Sequence, residues 1–173
     1  MDISKSLQTE LDKHIPKREQ QAFIDLAVRK ELRKHVSEKT DVVELFVDGG
    51  SRGNPGISGG GFAVYKGGEK VLDGSEFYGE KTNNQAEYLA LRTALREVYN
   101  RFPNSSIRCY MDSQLVVEQM NGNYKVKSEN VKTLFQEVIR ITQQFKSFVI
   151  EHIEREQNKL ADKLANRAMD RAA

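Results

Sequence analysis

Three acidic residues stand where packing alone does not place them. Asp48 ends the run Val42-Val43-Glu44-Leu45-Phe46-Val47, and Asp112 ends Ile107-Arg108-Cys109-Tyr110-Met111. Both runs read as strands from their β-branched and aromatic content, and each is followed at once by a turn or a helix. In an open α/β sheet, ligands bind in the crevice beyond the carboxyl ends of parallel strands, so the two carboxylates are expected side by side there. Taken alone, each is more simply a turn former or a helix cap. Glu87 shifts the balance. On its helix, Leu91, Ala94, Leu95 and Val98 share its stripe, so that stripe is the apolar one. A carboxylate on a buried face needs a basic partner, a proton or a shared metal. Arg92, the first basic neighbour in sequence, lies on another side of the helix, and an ion pair from elsewhere in the chain stays open. Asp162, on the flank of the last helix, reads by itself as a surface acid. Four acids gathered at strand ends and helix flanks suit hard cations such as Mg²⁺ or Mn²⁺ and disfavour zinc, which takes His or Cys. Two such ions can activate a water on one side of a phosphodiester and stabilise the leaving oxygen on the other.

The elements that must position these acids follow from periodicity and punctuation. The first strand covers Val42 to Asp48 and is expected to end at Gly49-Gly50. Two more strands, about 60–66 and 70–78, are joined by the hairpin signal Gly67-Gly68. A helix over about 83–99 is capped by Thr82 or Asn83 and stops before Pro103. After the fourth strand, which ends at Asp112, a short helix over 114–120 ends at Asn121-Gly122, where glycine takes a left-handed cap. Val131, Leu134, Phe135, Val138, Ile141 and Phe145 mark one face of a longer helix over about 129–145. A fifth strand over 147–153 and a final helix over 159–172 complete the order βββαβααβα. That order implies an antiparallel meander of three strands, two added parallel strands, and helices on the faces.

Residues 1–40 differ in texture: they hold no glycine, one proline at Pro16, and all of the chain's excess positive charge. Phe23, Ala27, Leu32 and Val36 recur at helical intervals, which predicts a charged amphipathic helix over about 17–36, docking on the domain or on a partner protein. The expected division is a helical extension over 1–40 and one domain over 41–173. Charged residues make up 30% of the 173, yet the formal net charge is only +2, so a nucleic-acid ligand must be met by local basic clusters. Cys109 is the single cysteine, which excludes an intramolecular disulfide and a cysteine-based zinc site; it reads as a buried filler. No apolar run approaches the roughly 20 residues of a membrane helix, and the N-terminus lacks a secretory signal's apolar core. A soluble cytoplasmic protein is expected.

Four segments together resemble the type 1 ribonuclease H family. Asp48-Gly49-Gly50-Ser51-Arg52-Gly53-Asn54-Pro55-Gly56 resembles its opening motif, and Thr82-Asn83-Asn84-Gln85-Ala86-Glu87-Tyr88 its second. Asp112-Ser113-Gln114-Leu115-Val116 and Ala161-Asp162-Lys163-Leu164-Ala165-Asn166 resemble the third and fourth, all in order between about Val42 and Ala172. The resemblance implies a ribonuclease H-like fold and a two-metal endonuclease, using Mg²⁺ or Mn²⁺, that cuts the RNA strand of RNA–DNA hybrids, with double-stranded RNA as a further candidate substrate. It implies Asp48, Glu87, Asp112 and Asp162 as metal ligands, with Glu87 also near the ribose 2′-hydroxyl. By the same resemblance, Gly49, Asn54, Asn83, Asn84 and Gln114 match positions on the hybrid's minor groove, and Thr82 matches a phosphate contact on the DNA strand. Turn and cap chemistry is the plainer reading of these polar residues.

Two departures place the chain near an archaeal-like subgroup. The loop before the last aspartate, Glu154-Arg155-Glu156-Gln157-Asn158, lacks the histidine that many members carry. Arg155 is the candidate phosphate contact in its place, while His152 is expected within the fifth strand. Asn121-Gly122-Asn123-Tyr124-Lys125-Val126-Lys127 is a short connection where some members have a basic protrusion, which predicts weaker substrate affinity. A catalytically silent nucleic-acid-binding or assembly module on the same fold is the rival; loss of one of the four acids would be its signature.

Overall fold

The computed structural model describes residues 5–40 and 42–171, and side chains over 5–28 and 42–171. The chain divides into two compact units at the boundary between Thr40 and Asp41. In the first unit, helix α1 (Lys5–His14) precedes helix α2 (Lys17–Thr40). Pro16 separates them, because it has no N–H to continue α1 and restricts Ile15 before it. Leu11 is buried, and buried Gln20 donates from Nε2 to the Ile15 carbonyl at 2.9 Å and to Asp12 at 3.0 Å. Phe23 and Leu26 lie exposed on α2, and the side chains of Leu32 and Val36 fall outside the described set. Sequence periodicity found α2 and missed α1, whose only regularly spaced apolar residues are Leu7 and Leu11.

The second unit is built on five strands: β1 (Val42–Gly53), β2 (Gly56–Lys66), β3 (Glu69–Lys81), β4 (Ser106–Met111) and β5 (Ser147–His152). Four helices complete it: α3 (Asn83–Arg101), α4 (Gln114–Met120), α5 (Glu129–Thr142) and α6 (Lys159–Asp170), the last entered through a 3₁₀ turn at Arg155–Gln157. The sheet order is β3-β2-β1-β4-β5. β1, β2 and β3 form an antiparallel meander, and β4 and β5 are parallel to β1, as the element order predicts. Gly67 and Gly68, both at positive φ, make the β2–β3 turn, and Gly122, at φ 80°, takes the left-handed position after α4.

Strand ends differ from the sequence reading in one instructive way. Gly49-Gly50 does not end the first strand. β1 continues to Gly53 because its glycines pair with the glycines of β2, Gly49 with Gly60 and Gly50 with Gly59. A cross-strand partner supplies what a local signal cannot show. β4 and β5 each close one residue earlier than expected, at Met111 and His152, and α5 stops at Thr142, three residues short of Phe145. Phe145 is nonetheless buried, edge-on to Tyr99. α6 ends at Asp170; the expected end at Ala172 lies outside the described residues.

Val43, Leu45 and Val47 alternate into the core beneath α3, whose own Leu91, Ala94, Leu95 and Val98 are fully buried. α5 covers the outer side of α3, so α3 is enclosed from the sheet and from a helix. α6 packs on the opposite face of the sheet, over β2. Gly61 permits that approach: a Cβ there would lie 2.4 Å from the Ala165 nitrogen. Cys109 is buried in β4, as a filler should be.

Candidate active site

Strand register sets the first two acids. In the parallel β1–β4 ladder the last pair is Val47 with Met111, so Asp48 and Asp112 are the next residues on neighbouring strands. Beyond that pair the chain after β4 turns into α4, while β1 runs on against β2. A crevice opens there, at the switch between parallel and antiparallel pairing. Glu87 is carried in by α3, which Thr82 starts with a reciprocal cap: Gln85 donates its backbone N–H to the Thr82 hydroxyl, and Thr82 donates its own to Gln85 Oε1. Gly49 lets β1 and α3 approach. A Cβ on it would sit 2.4 Å from the Ala86 carbonyl oxygen and 2.7 Å from Glu87 Cα. Asp162 comes from the first turn of α6, held close by the glycine contact with β2. Asp48, Glu87, Asp112 and Asp162 line one cavity of about 290 Å³, with Arg52, Asn83, Arg155 and Asn166 at its walls.

Crowding of like charges out of water governs the electrostatics. Burial pushes the Asp48 carboxyl up to about 6, and the charges of Asp112 and Asp162 add to the rise while Arg155 opposes it. Glu87 is pushed up to about 7, mainly by burial; the Ser113 and Asn83 side chains pull the other way, and Asp48 and Asp112 push with burial. Only 9% of Glu87 is exposed. Asn83 donates from Nδ2 to Glu87 Oε1 at 3.0 Å, and Oε2 is buried with no hydrogen-bond partner.

That orphan oxygen tests the cation idea directly. A buried carboxylate oxygen without a donor costs about 1–3 kcal/mol or more, and an all-oxygen donor set at a half-open cavity fits Mg²⁺ or Mn²⁺. Among the described residues, no three His, Cys, Asp or Glu side chains are already gathered tightly enough to hold an ion. The acids surround the cavity rather than meeting at a point, and Arg155 holds Asp162 through Nη2 to Oδ1 at 2.6 Å.

The other residues singled out in the sequence divide between the cavity and its surroundings. Gly49, Asn83 and Arg155 line it. Asn83 is also a structural tie: its Oδ1 accepts from the Ser51 N–H, and its own N–H donates to Asn54 Oδ1. Asn84 lines a separate groove of about 590 Å³ with Leu115, Tyr124, Lys125 and Lys127. Thr82 and Gln114 border neither, Thr82 serving as the cap of α3 and Gln114 standing exposed at the start of α4. His152 ends β5, outside the cavity lining. Sequence reasoning missed Asn158, buried at the head of α6 and bonded to Asp112.

This sheet order and helix placement are those of the ribonuclease H-like fold, shared with solved structures at TM-scores of 0.72 and 0.71. The profile of the reverse transcriptase-like family matches residues 46–168, and the chain belongs to that type 1 ribonuclease H-like family. It is 38% identical over 133 residues to the bifunctional protein Rv2228c of Mycobacterium tuberculosis, covering 76% of this chain and 36% of that one. It is 37% identical over 131 residues to ribonuclease HI of Halobacterium salinarum, covering 75% of this chain and 65% of that one. The chain therefore spans about a third of the first relative's length and just under two thirds of the second's. LC11-RNase H1, solved in complex with an RNA/DNA hybrid, has a TM-score of 0.72 at 38% identity, covering 75% of this chain and 98% of that one.

Proposed function

We propose that this chain is an endonuclease that hydrolyses the RNA strand of RNA–DNA hybrids, leaving 5′-phosphate and 3′-hydroxyl ends. The observation that carries the reading is the buried, unpartnered Oε2 of Glu87, set in one cavity with Asp48, Asp112 and Asp162. Left without a donor, that oxygen is completed by a proton or by a cation, and the three further acids around the same cavity favour the cation. The hybrid held by LC11-RNase H1 supports the substrate class. All four acids are in place, which weighs against a catalytically silent binding module.

In this reading Asp48, Glu87, Asp112 and Asp162 hold two Mg²⁺ or Mn²⁺ ions, which when bound supply an activated water and charge stabilisation at the leaving oxygen. Glu87 also lies near the 2′-hydroxyl that marks a strand as RNA. Gly49, Asn54, Asn83, Asn84 and Gln114 face the minor groove, Thr82 takes a phosphate of the DNA strand, and Arg155 takes a further phosphate. Residues 1–40 form an appended helical unit that recruits a protein partner and is dispensable for hydrolysis. Among the described residues, no helix is long and apolar enough to cross a membrane.

The test is one labelled RNA strand paired in turn with DNA and with RNA, with Mg²⁺ present or chelated. Cleavage of the hybrid that stops on chelation is expected. Absence of cleavage with either Mg²⁺ or Mn²⁺, or cleavage that survives chelation, sinks the reading. The RNA duplex decides whether double-stranded RNA is a second substrate.

A further inference from the structure

Asn158 is 1% exposed and stands at the N-cap of α6, where an asparagine side chain ordinarily accepts a hydrogen bond from the helix. It makes no such bond. The amide turns toward the sheet instead, and its Nδ2 donates to the Val47 carbonyl at 2.9 Å and to Asp112 Oδ1 at 2.7 Å. The Asn158 carbonyl accepts from the backbone N–H of Asp162 at 3.1 Å. One buried residue therefore touches the carboxylate of Asp112, the peptide that leads into Asp48, and the backbone of Asp162.

The amide's orientation is forced. Reversed, its oxygen would face a carbonyl and a carboxylate, two acceptors with no proton between them. Its Oδ1 is left buried without a partner, so the side chain leaves its own acceptor unsatisfied to supply both donors. No other small side chain does the same: aspartate lacks the donors, serine has one, and glutamine is a methylene longer. The bond to Asp112 is charge-assisted and short. It engages Oδ1 and leaves Oδ2 of Asp112 for a ligand.

We propose that Asn158 is a positioning residue for the candidate cation site: its amide fixes the Asp112 carboxylate and its spacing from Asp48, so that cation affinity depends on it although it touches no cation. This rests on the reading of the four carboxylates as a cation site. Groups that orient metal ligands typically change affinity or activity by about 10–100-fold when removed, and this amide holds both the Asp112 carboxylate and the peptide that leads into Asp48.

The experiment uses the full chain as wild type, Asn158→Ala, Asn158→Ser and Asn158→Asp. Calorimetric titration with Mn²⁺ is run beside thermal melts in chelator and in Mg²⁺, and beside kcat and KM on a hybrid. For Asn158→Ala the expected result is an Mn²⁺ affinity lower by about 10–100-fold, a comparable fall in kcat, KM for the hybrid within about twofold, and a smaller Mg²⁺-induced rise in Tm. Asn158→Ser, which keeps one donor, falls between. A folded Asn158→Ala protein with wild-type Mn²⁺ affinity and kcat overturns the proposal, as does loss of the fold in chelator by all three variants, which would make Asn158 a tie between α6 and the sheet and nothing more. If wild type itself takes up no divalent cation, the cation reading fails first and the positioning role fails with it; wild-type binding matched by the variants removes the positioning role alone.

Discussion

Arg155 donates from Nη2 to Asp162 Oδ1 at 2.6 Å, so the fourth carboxylate of the cavity is met by a guanidinium where a cation would draw it inward. The arginine side chain is 72% exposed and the aspartate 27%, so the pair sits at the rim and contributes little to stability. Its consequence is competition. Arg155→Gln should tighten the apparent Mg²⁺ affinity by about 1.4- to fivefold, the equivalent of the roughly 0.2–1 kcal/mol of an exposed pair. The same substitution should raise KM for the hybrid and reduce the salt slope of binding by about one, if Arg155 also meets a phosphate. Activity measured against Mg²⁺ concentration, and binding measured against salt, separate the two effects. An unchanged Mg²⁺ requirement rules out the competition.

Asp48 and Asp112 are neighbours because Val47 pairs with Met111, and that register does not depend on either carboxylate. Asp48→Asn or Asp112→Asn should therefore leave the fold intact, by circular dichroism, while cleavage of the hybrid falls to below about one hundredth of wild type. Full activity in either variant would contradict the assignment of these acids.

The same crowding has a sign in pH. The folded chain holds Asp48 at about 6, from an ordinary 3.8, and Glu87 at about 7, from an ordinary 4.5. Between those ordinary and raised values the folded state keeps protons that the unfolded state has released, so the stability of the cation-free protein falls as pH rises through that window and levels off above about 7. Asp48→Asn removes the Asp48 share. In chelator at pH 8 it should be more stable than wild type, by on the order of 1–3 kcal/mol, and at pH 4 the difference should nearly vanish. The Asp48 charge helps to raise Glu87, so replacing both acids should gain less than the sum of the single substitutions. Urea melts of both proteins at pH 4, 6 and 8 measure it. A variant advantage that grows toward acid pH would overturn the account.

What the sequence made legible was local. The β-branched and aromatic run Val42 to Val47 marked the first strand, the stripe through Leu91 and Val98 exposed Glu87 as an acid on a buried face, and both were found where expected. The glycines after Asp48 were misread as the end of a strand because their partners are the glycines of β2, and pairing of that kind leaves no periodic trace in one strand alone. Asn158 escaped for a stronger form of the same reason: its two bonds reach back 111 and 46 residues. In the sequence it was only the last residue of the loop before α6. Asp162 carried no signal of its own either; it joins the other acids because Gly61 lets α6 sit close to the sheet, a fact written in β2.

Gly49 was expected to meet the minor groove, and packing supplies a second reason for it. A methyl group at Gly49 would lie 2.4 Å from the Ala86 carbonyl oxygen, against backbone that cannot swing away, whereas at Gly50 the nearest atoms are the Met169 Cε at 3.9 Å and Asn83 Oδ1 at 4.0 Å. Adjacent glycines in one strand thus make opposite predictions. Gly49→Ala has to push α3 from β1, and should destabilise by about 1–3 kcal/mol or more; because α3 carries Glu87, Mn²⁺ affinity should fall with it. Gly50→Ala should stay within about 0.5 kcal/mol of wild type. Denaturant melts in chelator read the first effect without any substrate. If Gly49→Ala keeps wild-type stability and Mn²⁺ affinity and raises only KM for the hybrid, the glycine serves the minor groove alone, and the close approach of β1 to α3 is not what it is there for.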